Sequence, residues 1–144
     1  MPTGPPDLDR FVAAQDADGT YDRALGELRA GRKTSHWMWF VFPQIAGLGR
    51  SATARRYALA DVVEARAYLD HPTLGPRLRE CSAALLGLPD TTATRVLGEI
   101  DALKLRSSMT LFLRAADDPA PFAAVLDRFY AGDPDPATDD LLRR

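Results

Sequence analysis

Two side chains in this chain are best suited to handling a proton, His36 and Asp101. A carboxylate can stabilise developing positive charge or activate a water, and an imidazole can protonate a leaving group. His36 stands in "GRKTSHWMWFVFPQIAGLGRS", residues 31–51, which holds both tryptophans, two of the six phenylalanines and three of the ten glycines. Lys33, Ser35 and His36 precede the aromatic run and Gln44 follows it, so polar groups bracket an apolar wall. Ligand pockets have that composition, with Trp37 or Trp39 as the stacking surface. The same rings could equally be core anchors, since each contributes a large buried area.

Directly downstream, Gly47 and Gly49 lead into Arg50 and Ser51. Glycines let backbone N–H groups approach an anion, a helix N-terminus supplies unpaired donors, and arginine makes bidentate contacts. Without a preceding strand or a Gly-Lys-Ser/Thr ending, the motif fits a plain turn as well as a phosphate site. A third group, Asp101, Lys104 and Ser108, recurs at helical spacing beside the apolar residues Leu105 and Met109, which puts an acid, a base and a hydroxyl on one face. An exposed Asp-Lys pair is the simpler reading, worth a few tenths of a kcal/mol. Two serines inside a helix run against propensity, and that favours function.

The elements that must position these groups read as helices. The spacing of Leu8, Phe11, Val12 and Gln15 predicts a first helix with Asp7 as its cap, Gln15 being a polar intruder in the apolar stripe. A second should start after Thr20 and stop at Gly31. Ser51 and Asp61 are cap residues for the next two, and His71-Pro72 closes the latter. Leu74, Leu78, Cys81 and Leu85 mark a further helix, with Cys81 read as a buried hydrophobe. Val96, Leu97 and Ile100 suggest one more segment. Ala102, Leu105, Met109, Phe112, Leu113 and Ala116 form the cleanest stripe, and Phe122 to Tyr130 a last long helix ended by Gly132. The run of residues 37–42 is compatible with a buried strand or a buried helical turn.

The chain is therefore expected to be all-α: one compact multi-helix domain over residues 7–132, with a flexible lead-in at 1–6 and a tail at 133–144 that frays or adds a turn. At 144 residues, 46% hydrophobic and 26% charged, one globular domain is the expectation. A net charge of −2 gives no field for nucleic acid or an anionic membrane, and Arg55-Arg56 and Arg77-Leu-Arg79 are isolated basic spots. No apolar run is long enough to span a bilayer and no signal segment is present, so a cytoplasmic protein is expected. One cysteine and two histidines cannot furnish a structural zinc site. No metal or cofactor is implied, and the sequence is silent on oligomeric state.

The segments "ALGELRAGRKTSHWMWFVFPQIAGLGRS", "YLDHPTLGPRLREC" and "DALKLRSSMTLF" closely resemble a bacterial family of uncharacterised helical domains, some of which carry the automatic label calpastatin. The Lys-x-Ser-His-Trp-x-Trp-Phe-x-Phe-Pro-Gln pattern is intact at residues 33–44. The resemblance implies a mainly helical single domain and no established activity. Calpain inhibition is discounted, because it depends on long disordered repeats and this chain has none. A more distant similarity is to NADAR domains, associated with cleaving N-glycosidic bonds in ADP-ribosyl or ribosyl-phosphate compounds; none of their catalytic residues carries over.

Two functions follow as expectations. One is a pocket for a small anionic ligand of the ADP-ribose or ribosyl-phosphate class, in which Trp37 or Trp39 stacks the base, residues 47–51 with Lys33 or Arg56 hold phosphate, and Asp101 and His36 serve as carboxylate and acid if the bond is hydrolysed. The other is a non-catalytic helical protein-interaction module, which requires no concave polar pocket beside the tryptophans.

Overall fold

A computed structural model describes residues 7–144; residues 1–6, the expected lead-in, lie outside the described residues. The helices are α1 (Asp9–Asp16), α2 (Thr20–Ala30), α3 (Met38–Val41), α4 (Ala52–Arg56), α5 (Val62–Asp70), α6 (Leu74–Leu86), α7 (Ala93–Leu97), α8 (Glu99–Ala115), α9 (Ala120–Tyr130) and α10 (Pro136–Leu142). Among the described residues there is no strand, only an isolated bridge between Ile45 and Leu59. The architecture is all-α.

α8 is the spine, and α5, α7, α9 and α10 pack against it. Its inner face is the expected stripe: Leu105, Met109 and Phe112 are wholly buried. The Phe112 ring lies 5.4 Å from Tyr68 of α5 and 5.8 Å from Phe122 of α9. Full burial of each such side chain contributes about 1.5–3 kcal/mol. α6 forms a second layer against α2, α5 and α9, with Leu74, Leu78, Cys81 and Leu85 facing in. Burial, only partly offset by the Tyr21 hydroxyl, pushes the Cys81 thiol up to about 12, which keeps it a neutral core group and no nucleophile.

Helix ends follow local chemistry. The Ser51 hydroxyl accepts from the Ala54 N–H at 3.1 Å and Asp61 Oδ1 from the Glu64 N–H at 2.8 Å, so both act as N-caps. Gly31, at φ +77°, ends α2 in the left-handed region that glycine tolerates. The first helix differs from expectation: it begins at Asp9 behind Leu8, and no side chain caps it, so Asp7 is not its cap. Gln15, the polar intruder, is satisfied by tertiary contacts. Its Nε2 donates to the Phe40 carbonyl at 2.7 Å and to the Tyr68 hydroxyl at 3.2 Å, and its Oε1 accepts from Arg77 at 3.2 Å. One amide thus ties α1 to α3, α5 and α6.

Two further differences bear on the site. Val96, Leu97 and Ile100 do not share a helix, because Gly98 at φ +89° separates α7 from α8 and resets the helical phase. Val96 and Leu97 are buried, whereas Ile100 is 72% exposed. The tail after Gly132 also folds: α10 docks on α8 through Asp135, whose carboxylate accepts from Ser107 Oγ at 2.9 Å and Thr138 Oγ1 at 2.6 Å. Arg114 clamps Asp139 with two contacts of 3.0 Å.

Candidate functional site

The stretch between α2 and α3 is organised by a residue that the sequence did not single out. Glu27 sits in the last turn of α2, where the helix dipole disfavours an anion. Its carboxylate there accepts from the Thr34 N–H at 2.7 Å, the Ser35 N–H at 3.0 Å, the Ser35 hydroxyl at 2.5 Å and the Trp37 indole N–H at 3.0 Å. Burial works to raise this carboxyl, but the four donors outweigh it and hold it down at about 2. Ser35 and Trp37 therefore spend their polar groups on Glu27. The Trp37 ring is fully buried, 6.3 Å from Phe42, and is core rather than a stacking wall. Trp39 is half-buried and lies under the Lys104 ammonium at 5.1 Å.

The charged groups beside them form a triad. Lys33 Nζ is 2.9 Å from Asp101 Oδ2, its side chain only 8% exposed, and it lies 5.1 Å from the Trp37 ring. Lys104 Nζ reaches the other oxygen, Asp101 Oδ1, at 3.7 Å. The backbone N–H of Lys33 also donates to Val96 O at 2.7 Å, so the loop is latched to α7 and α8 together. Asp101 is thereby committed to two ammoniums. His36 is exposed and makes no salt bridge among the described residues; it does not join Asp101 as an acid–base pair.

The glycine turn is likewise occupied by its own chain. The Ser51 hydroxyl accepts from the Ala54 N–H and so occupies a backbone donor at the start of the five-residue α4. A Cβ at Gly49 would meet Ala54 Cβ at 2.4 Å, and one at Gly47, φ +105°, would press on Leu141 of α10 at 3.1 Å. These glycines serve close packing. Ser108 shares the helical spacing of Asp101 and Lys104 but lies inside the core: its hydroxyl is buried and has no partner among the described residues.

Three of the expected ligand residues do meet. Gln44, Gly49 and Lys104 line an open cleft of about 210 Å³, floored by Leu48, Ile100 and Leu103. Ile100 is also a wall of a neighbouring cleft of about 450 Å³ that includes Glu99 and Asp101. Neither tryptophan lines either cleft. Ile100 and Leu103 are 72% and 66% exposed, one turn apart on the side of α8 opposite the buried stripe. Their i, i+3 spacing is a signal in the sequence, but Ile100 groups there with Val96 and Leu97 as one helical segment, which hides its pairing with Leu103. Among the described residues no cluster of potential metal ligands occurs, and no helix is long and apolar enough to cross a membrane.

The fold and site define a small all-helical domain with a latched aromatic loop and an open amphipathic cleft on its central helix. Residues 5–142 match the family model described as "Protein of unknown function (DUF1810)", and the chain belongs to that family. It is also similar to a solved structure, the conserved hypothetical protein Rv1873 from Mycobacterium tuberculosis, at 48% identity and a TM-score of 0.92, over 96% of this chain and 97% of that one. No curated protein matches the sequence.

Proposed function

We propose that this domain is a non-catalytic binding module whose recognition face is the first half of α8 together with the loop carrying Gln44, Leu48 and Gly49. The exposure of Ile100 and Leu103 beside that loop carries the reading. Two large aliphatic side chains held in water on a rigid helix are a liability unless something covers them. Asp101, the expected carboxylate, is engaged by Lys33 and Lys104, and Trp37, an expected stacking ring, is buried with its indole N–H on Glu27.

A photo-crosslinking amino acid at Leu103, expressed in the native host, tests this. Discrete protein adducts are expected from position 103 and not from Val63, which is 74% exposed on α5. No adduct from 103, or equal adducts from both positions, would end the proposal.

A second reading keeps the cleft for a small anionic ligand of the ADP-ribose or ribosyl-phosphate class. It is supported by Gln44, Gly49 and Lys104 lining one cleft with no carboxylate among them. Calorimetry with ADP-ribose, NAD and ribose 5-phosphate decides between the two. Heat that Lys104→Gln removes would favour the ligand, and none up to millimolar concentration would end that version.

A further inference from the structure

The charge around the cleft says what kind of surface it fits. Lys33 and Lys104 share one carboxylate, Asp101, and Lys33 takes the short contact of 2.9 Å while Lys104 is left at 3.7 Å. The triad thus carries one excess positive charge, and it falls on Lys104 at the cleft wall. Arg50, next to Gly49 of the same cleft, is exposed and forms no salt bridge among the described residues. No carboxylate lines this cleft; the nearest acidic side chain on α8 besides Asp101 is Glu99, which lines the other cleft beyond Ile100. An aliphatic floor therefore lies next to two cations, Lys104, which shares its carboxylate with Lys33, and Arg50, which has no salt bridge among the described residues.

Resting on the binding-module reading, we infer that the partner presents an acidic, aliphatic segment. One of its aliphatic side chains seats between Leu48, Ile100 and Leu103, and a neighbouring carboxylate meets Lys104 and Arg50. Such a pairing takes its affinity from apolar burial and its selectivity and encounter rate from charge. A basic segment is disfavoured at the same place, because its ammonium would meet Lys104 and no carboxylate lines the cleft; Asp135, behind the cleft-lining Ser107, is taken up by the Ser107 and Thr138 hydroxyls.

Two peptides of equal length supply the test, both with leucine at helical spacing, one carrying glutamate and the other lysine at the remaining positions. Each is titrated into the isotope-labelled full chain and followed by amide chemical shifts. The acidic peptide should shift amides of residues 44–50 and 98–104, at least tenfold more tightly than the basic one, with an affinity that falls as salt rises. Leu103→Asp should abolish these shifts, and Arg50→Glu combined with Lys104→Gln should erase the preference for the acidic peptide. Equal binding of the basic peptide, shifts confined to other surfaces, or shifts that depend on protein concentration without peptide and so mark a second copy as occupant, would each overturn the inference. If any of these occurs while crosslinks from position 103 persist, the partner assignment falls and the recognition face stands. If the crosslinks are also missing, both fall.

Discussion

Replacing Trp37 by alanine should cost about 4 kcal/mol of stability, the range for deleting a fully buried large aromatic side chain. The ring is wholly inaccessible, contacts Phe42 and is covered by the Lys33 ammonium, so its removal leaves a cavity where the loop joins the core. Against a typical total of about 5–15 kcal/mol, that loss threatens folding outright. Trp37→Phe keeps most of the volume and removes only the indole donor to Glu27, and about 1–2 kcal/mol is expected from it. Urea unfolding of both variants measures the difference. A Trp37→Ala protein as stable as the parent would mean that the ring is not core.

Glu27→Ala should be the next most damaging change, at about 3 kcal/mol, because it strands the part-buried Ser35 N–H and Trp37 indole and releases the Thr34 N–H to water. The same carboxylate gives an acid limb to the stability curve. Its pKa lies at about 2 in the folded protein against an ordinary 4.5. Its contribution is therefore complete above pH 4.5 and drains away as the pH falls toward 2. Unfolding followed from pH 6 to pH 2 should show this loss in the parent and a flatter profile in Glu27→Gln, which retains an acceptor but no titrating group. Identical slopes would contradict Glu27 as the organiser of the loop.

The helices were legible in the sequence wherever a cap or a period fixed them locally. Ser51, Asp61 and Gly31 act as read, and the stripe through Leu105, Met109 and Phe112 faces the core. The phase of α8 relative to α7 was not legible, because it depends on one backbone rotation at Gly98, and that rotation separates exposed Ile100 from buried Val96 and Leu97. The tail was underestimated for a similar reason: α10 is short, and it is held by Ser107, Thr110 and Arg114 across a gap in sequence.

The site shows the same limit more sharply. Residues 33–44 were recognisable as a special cluster, but side-chain direction there is set by partners distant in sequence. Lys33 turns to Asp101, Ser35 and Trp37 turn to Glu27, and Trp39 lies beneath Lys104. Residue types that suggest a ligand pocket are here a latch between α2, α7 and α8. Of the expected ligand residues only Gln44, Gly49 and Lys104 reach the cleft, and Leu48 and Leu103, which help give the cleft its character, carry no signal of their own in the sequence.

The central claim is that Lys33 and Asp101 hold the fold while the exposed half of α8 does the binding. Equilibrium urea unfolding of Lys33→Ala, Asp101→Ala and His36→Ala tests it most directly. Each of the first two breaks a largely buried ion pair and should lose about 2–3 kcal/mol. His36→Ala, at an exposed position without a salt bridge among the described residues, should stay within about 0.5 kcal/mol of the parent. Unchanged or increased stability in Lys33→Ala and Asp101→Ala would contradict the account and return both residues to a ligand site, where side chains serve function at the expense of folding.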